Sequence, residues 1–112
     1  MLREKDYFAP LDPNMMQAYS LNNFDLIYES SDDVWALGIT SLCYLFNEDF
    51  NNFYDWSKKR IKKEKIESCI QILYNINFGP LMLKIISEML DTNNYTRIKL
   101  SRLTELLNQK QF

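Results

Sequence analysis

Apolar side chains recur every three or four residues along most of the chain after residue 30, and this spacing predicts helices. The stretch from Asp33 to Phe46 is apolar almost all the way round and follows a helix-start signal, Ser31-Asp32, so it predicts a buried helix. Ser57 to Tyr74 alternates apolar positions with charges, which predicts a surface helix with one buried stripe. Two more helices are predicted, one after Gly79-Pro80 and one from Leu100 to Gln109.

In the remaining segments the apolar side chains have no regular spacing. Residues 1–30 contain two X-Pro steps and predict an irregular loop region with one short helix near Met15 to Ser20. Residues 47–56 mix polar and aromatic side chains and predict a loop. The fold class is therefore all-α, as a single domain divided into the loop region 1–30 and a helical part, 31–112.

The composition indicates that the chain folds and bears on its expected cellular location. The chain is 46% hydrophobic and 14% aromatic, which is typical of a folded protein. Its two cysteines, Cys43 and Cys69, lie inside apolar helical patterns with no signal-peptide pattern before them, so we expect an intracellular, cytoplasmic protein. The longest apolar run, Val34 to Phe46, is shorter than the ~20 residues that a membrane span needs, so no membrane partner is expected.

Charge is distributed unevenly along the sequence. The net charge is −2, but residues 1–57 carry two basic and ten acidic side chains, and residues 58–112 carry eleven basic and five acidic ones. The basic residues cluster at the start of the predicted surface helix, where they form either a solvated face or a docking surface for a partner: Lys58, Lys59, Arg60, Lys62 and Lys63. One basic element in an acidic chain argues against nucleic acid as the partner.

Three short motifs resemble landmarks of the eukaryotic protein kinase large lobe, in the family's order. Tyr7-Phe8-Ala9-Pro10 is similar to the Y-x-A-P-E end of the activation segment. Asp33-Val34-Trp35-Ala36-Leu37-Gly38 is similar to the D-V-W-S-x-G start of the central helix. The stretch from Met89 to Ile98 is similar to the M-L-x-x-D-P-x-x-R segment between the last two helices. The resemblance implies a partial, helical kinase C-lobe.

The resemblance also implies roles for individual residues. It makes Ala9 and Pro10 part of the activation-segment end, and Trp35 and Gly38 packing positions of the central helix. Asp33 would hold the backbone of a catalytic loop, or else it only caps its own helix.

Arg97 matches the arginine that pairs, buried, with the Glu of A-P-E in kinases, but this chain has Leu11 in place of that Glu. Either another carboxylate replaces it, with Asp12 the nearest in sequence, or Arg97 is exposed. Glu4 stands where the family has a Thr that contacts the catalytic machinery, which further weakens the case for activity.

Phosphoryl transfer requires a Gly-rich loop, a strand lysine, a catalytic Asp and a magnesium-binding Asp. The two glycines lie 41 residues apart and the chain has no histidine, so neither a phosphate loop nor an H-R-D loop is present. We therefore expect no catalysis and no cofactor for this chain alone. ATP and Mg²⁺ enter only if the chain is part of a complete kinase.

Three functions remain open. The first is a non-catalytic, pseudokinase-type C-lobe fragment that acts in protein interaction or scaffolding, with its partner being another protein or the rest of its own kinase domain. For this function we expect the apolar face around Val34, Leu37 and Leu45 to stay partly open. The second is the C-terminal portion of a longer, active Ser/Thr kinase. The third is a small helical adaptor that binds a polyanion through its basic helix.

Overall fold

A computed structural model describes residues 10–21 and 30–108. In these ranges the chain forms five α-helices: α1 (Pro13–Ser20), α2 (Ser30–Phe46), α3 (Lys63–Asn75), α4 (Pro80–Met89) and α5 (Leu100–Asn108). Between α2 and α3 lie a 3-10 helix (Phe50–Phe53) and two short strands, β1 (Tyr54–Asp55) and β2 (Arg60–Ile61). The described part of the chain is thus mostly helical, in agreement with the predicted all-α class.

Helix α2 lies at the centre of the core. Val34, Trp35, Ile39 and Leu42 on one side of α2 are fully buried, and α4 packs against this side. Gly38 allows the close approach of the two helices, because a Cβ at this position would stand 2.8 Å from Cδ2 of Leu90. The buried side of α4 itself is formed by Ile85, Ile86 and Met89.

The N-terminal segment joins the same core through α1. Asp12 is the N-cap of α1 and Pro13 follows in its first turn, a combination that favours helix initiation. Met16 of α1 is buried in the core cluster, and α1 packs against β2. The short helix predicted near Met15 to Ser20 is confirmed.

The segment between α2 and α3 differs from its prediction. The sequence predicted a loop to residue 56 and a helix from Ser57, whereas the chain forms an antiparallel hairpin in which Tyr54 pairs with Ile61 and Asp55 with Arg60. Asp55 Oδ1 accepts hydrogen bonds from Ser57 Oγ at 2.8 Å and from the Lys58 N–H at 3.2 Å. These bonds to a side chain replace the helical ones and fix a turn.

Lys59 completes that turn with a φ of 52°, in the left-handed region that a helix interior excludes. Helix α3 consequently begins at Lys63, six residues after the predicted start. Helices α4 and α5 begin where the sequence predicted them, at Pro80 and Leu100.

Candidate functional site

Arg97, between α4 and α5, is the centre of a buried polar network. Its Nη1 lies 3.0 Å from Oδ2 of Asp12, and both side chains are 0% exposed. Nη1 also donates to the carbonyl oxygen of Ser31 at 2.8 Å, and Nε donates to that of Asp91 at 2.8 Å. The guanidinium carbon lies 5.3 Å from the ring centroid of Trp35. The arginine thus ties together α1, α2 and the segment that leads into α5.

Asp12 uses both of its carboxylate oxygens. Oδ2 faces Arg97, while Oδ1 accepts a hydrogen bond of 2.8 Å from the backbone N–H of Met15 and caps α1. The carboxylate is therefore paired with a cation and hydrogen-bonded, which are the conditions under which a charge is tolerated in a protein interior.

Of the two alternatives for Arg97, the structure shows the buried one, with Asp12 as its carboxylate partner. Leu11 contributes its backbone: its carbonyl oxygen accepts a hydrogen bond of 2.5 Å from the Tyr54 hydroxyl. That hydroxyl in turn accepts from Nε1 of Trp35 at 3.1 Å. Sequence reasoning missed this second tie, because a tyrosine among polar and aromatic neighbours gives no sign of its partners.

The other positions named from the kinase resemblance differ in their burial. Trp35 and Gly38 lie in the core. Asp33 is exposed in the first turn of α2, three positions after Ser30, where the described part of the helix begins. Pro10 is half-buried two residues before Asp12, and Ala9 lies outside the described residues.

The basic residues do not share one helical face, contrary to the prediction of a basic helix. Lys58 and Lys59 lie in the hairpin turn and Arg60 in β2, so only Lys63 and the residues after it belong to α3. Several of these cations already have partners. Arg60 Nη1 lies 3.5 Å from Glu64 Oε1, and the Lys59 ammonium lies 5.0 Å from the ring centroid of Tyr19. The basic residues are divided in this way because the hydrogen bonds to Asp55 form a turn where the sequence predicted a helix.

Part of the surface of α2 is open. Leu37 is 44% exposed, Tyr44 is 87% exposed and Leu45 is 38% exposed, at the i, i+7 and i+8 spacing of one helical stripe. The sequence predicted this opening at Leu37 and Leu45 and did not name Tyr44. It was wrong about Val34, which is fully buried although it lies about three helical turns before Leu45 on the same side of the helix. The surface of α2 is therefore buried in part and open in part.

Two polar residues within this stripe have satisfied hydroxyl groups. Thr40 Oγ1 donates to the carbonyl oxygen of Ala36 at 2.7 Å, and Ser41 Oγ donates to that of Leu37 at 2.9 Å. A partner that covered the stripe would therefore leave neither hydroxyl donor unpaired. Together with its apolar neighbours, this makes the surface inexpensive to remove from water. We call Leu37, Thr40, Ser41, Tyr44 and Leu45 the α2 stripe.

The described residues offer little reactive chemistry. Burial, with the nearby Asp49 and Glu48 charges, raises the pKa of the Cys43 thiol, and burial followed by Glu48 raises that of Cys69. A raised pKa keeps a thiol protonated and weakly nucleophilic. Among residues 10–21 and 30–108, no three Cys, Asp or Glu side chains lie close enough to hold a metal ion. No helix in these ranges is long and apolar enough to cross a membrane.

Comparison of the chain with protein-family models, with curated proteins and with solved structures found no match to any of them.

Proposed function

We propose that the chain is a non-catalytic protein-interaction module, built as part of a kinase-like large lobe, and that it binds its partner through the α2 stripe. The observation that carries the proposal is the exposure of Leu37, Tyr44 and Leu45 on the same helix that forms the centre of the core. Large apolar side chains that share one exposed face, with polar groups already satisfied between them, are typical of a protein-protein contact.

The shape of the stripe indicates the kind of partner. Its apolar residues repeat at helical spacing along α2, which suits the apolar face of another helix packed alongside. Tyr44 is the natural anchor of such a contact, since tyrosine contributes a large apolar area together with a hydroxyl group that can find a polar partner at the rim. The partner helix belongs either to another protein or to the remainder of a kinase-like domain.

Two features support the kinase-like part of the proposal. Arg97 is buried against a carboxylate that follows Pro10, close to where the resemblance expects one. Trp35 and Gly38 take the large and small packing positions on the core side of α2. The proposal includes no nucleotide chemistry, so titration of the chain with ATP and Mg²⁺ is expected to reveal no binding below millimolar concentrations. Submillimolar ATP affinity would contradict it.

The interaction is tested by placing charge on the stripe. Tyr44→Glu and Leu37→Glu put carboxylates where a partner helix would have to cover them, and both sites are exposed enough for the free chain to keep its fold. The matched control is Tyr74→Glu, because Tyr74 is also an exposed tyrosine, on α3 and outside the stripe. Circular dichroism checks that all variants are folded.

The readout is the set of proteins recovered from native cells with each tagged variant, followed by binding of the purified partner to each variant. We expect one partner to be lost with both stripe variants and retained with Tyr74→Glu. Equal recovery with all variants, or loss with Tyr74→Glu alone, would show that the stripe is not the contact surface. Sedimentation of the purified chain distinguishes a second copy of this chain as the partner.

The polyanion-binding alternative receives less support from the geometry. Its basic residues are divided between a turn, a strand and a helix, and Arg60 is paired with Glu64. The dependence of heparin binding on salt tests it directly: a slope that corresponds to several released counterions would favour this alternative.

A further inference from the structure

A groove of about 430 Å³ lies between α1 on one side and the hairpin with the start of α3 on the other. One wall contains three basic residues that belong to a turn, a strand and a helix: Lys59, Arg60 and Lys63. The opposite wall is formed by α1, which contributes Pro13, Gln17 and Ser20. The fold thus brings into one groove cations that share no helical face.

The cationic side chains of this groove are accessible from solvent. The side chain of Arg60 is 48% exposed, Lys63 is exposed and Lys59 is half-buried. The groove is closed from below by apolar side chains, because Met16 is only 3% exposed and Ile61 only 7%. A ligand in the groove therefore contacts the cations at its rim and the hydrocarbon stems of the lysines, without access to the core.

The present partners of these cations leave room for a further anion. Glu64 is the one acidic residue in the described lining, and its Oε1 lies 3.5 Å from Nη1 of Arg60 in a largely exposed pair. Such a pair contributes little in water, so another carboxylate can displace Glu64. The Lys59 ammonium lies 5.0 Å from the ring centroid of Tyr19, a contact that leaves it able to bind an acceptor in the groove. Three cations against one carboxylate give the described lining a net charge of +2.

We propose that this groove binds an acidic peptide segment of a partner protein. The charge of the groove carries the assignment, because carboxylates of the segment complement Arg60 and the two lysines. Gln17 and Ser20 on the opposite wall offer an amide and a hydroxyl group to the backbone of the segment. The volume suits a few side chains of a peptide, whereas a nucleic-acid backbone is bound by a longer row of cations. None of the lining residues belongs to α2, so this surface is separate from the α2 stripe.

The probe is a fluorescein-labelled octapeptide of glutamates with one central leucine, and its binding to the purified chain is followed by fluorescence anisotropy at low salt. We expect saturable binding that Arg60→Gln and Lys63→Gln each weaken roughly threefold to tenfold, since each removes a charge-assisted hydrogen bond. The matched control is Lys58→Gln. Lys58 is exposed in the same hairpin turn but does not line the groove, so its replacement should change the affinity little.

Two further variants test the groove from its acidic residue and from its opposite wall. Glu64→Gln removes the carboxylate that competes for Arg60 and should strengthen peptide binding by a few-fold. Gln17→Glu places a carboxylate on the α1 wall and should weaken it by a similar factor, whereas Gln71→Glu, at an exposed residue of α3 outside the groove, should not. Circular dichroism checks that all variants are folded. An affinity that is the same in Gln17→Glu and Gln71→Glu would place the peptide outside the groove.

Other outcomes would overturn the proposal. Equal losses in Lys58→Gln and Lys63→Gln would show that the affinity follows the total charge of the basic residues and not the groove. A neutral peptide, with glutamine in place of glutamate, that binds as tightly would remove the role of charge. Single-stranded DNA of equal charge that binds more tightly than the peptide would assign the surface to polyanions. Tyr44→Glu should leave peptide binding unchanged, and a loss in this variant would place the peptide on the α2 stripe instead.

Discussion

The buried pair of Asp12 and Arg97 allows a prediction whose size follows from the geometry. Asp12→Asn keeps the shape of the side chain, and asparagine caps helices as well as aspartate does, so α1 retains its N-cap. The amide oxygen can then accept from the Met15 N–H, but the other branch becomes an NH₂ group that faces Nη1 of Arg97, a donor against a donor. The guanidinium loses its counter-charge while it stays 0% exposed.

Removal of one partner of a buried ion pair typically costs about 3–5 kcal/mol. The hydrogen bonds of Arg97 to the carbonyl oxygens of Ser31 and Asp91 remain, so the lower end of this range applies and we expect a loss of about 3 kcal/mol. With a urea m value of about 1–2 kcal/mol/M, the unfolding midpoint should fall by roughly 1.5–3 M. Asp12→Ala also loses the cap, so it should lower the free energy of unfolding by about 1 kcal/mol more.

The assay is urea unfolding followed by circular dichroism, with two comparisons. Glu64→Gln breaks the ion pair of Glu64 with Arg60, and because both side chains are largely exposed it should cost far less than Asp12→Asn. Arg97→Met combined with Asp12→Asn removes both charges and should recover part of the loss, since no unpaired charge stays buried. If Asp12→Asn costs no more than Glu64→Gln, the pair is not buried and the reasoning fails.

Three further outcomes are expected from the same assay. Gly38→Ala should destabilise the chain by about 1–3 kcal/mol, because the new Cβ would stand 2.8 Å from Leu90 Cδ2, whereas Gly79→Ala, with no atom within 4 Å, should be neutral. Tyr54→Phe should cost about 1–3 kcal/mol, since the indole N–H of Trp35 loses its acceptor, and no change would show that a water replaces the hydroxyl. Burial raises the pKa of Tyr54 above its ordinary value of 10.0. The stability that the protonated hydroxyl contributes is therefore complete below pH 10 and is lost as the pH rises further. Unfolding in urea between pH 9 and 11 should show this loss in the wild type and less of it in Tyr54→Phe.

The helices that the sequence could predict are those whose signals are local. Pro80 after a glycine marks the start of α4, and leucines three and four residues apart mark α5, with little dependence on the rest of the fold. Helix α3 was predicted to begin too early, because charged residues are compatible with both a turn and a helix. The turn forms because Asp55 accepts two hydrogen bonds. A side-chain hydrogen bond of this kind does not alter the spacing of apolar residues, so the sequence pattern does not show it.

The polar network was predictable only in part. A buried arginine requires a carboxylate, so chemistry alone limits the partners of Arg97 to a few acids. The selection of Asp12 depends on the capping of α1, which places the carboxylate at the end of a helix that packs on β2, 85 positions before its partner along the chain. The lack of a partner for Arg97 Nη2 among the described residues could not have been predicted, because it depends on which guanidinium N–H groups the neighbouring acceptors reach in the folded chain.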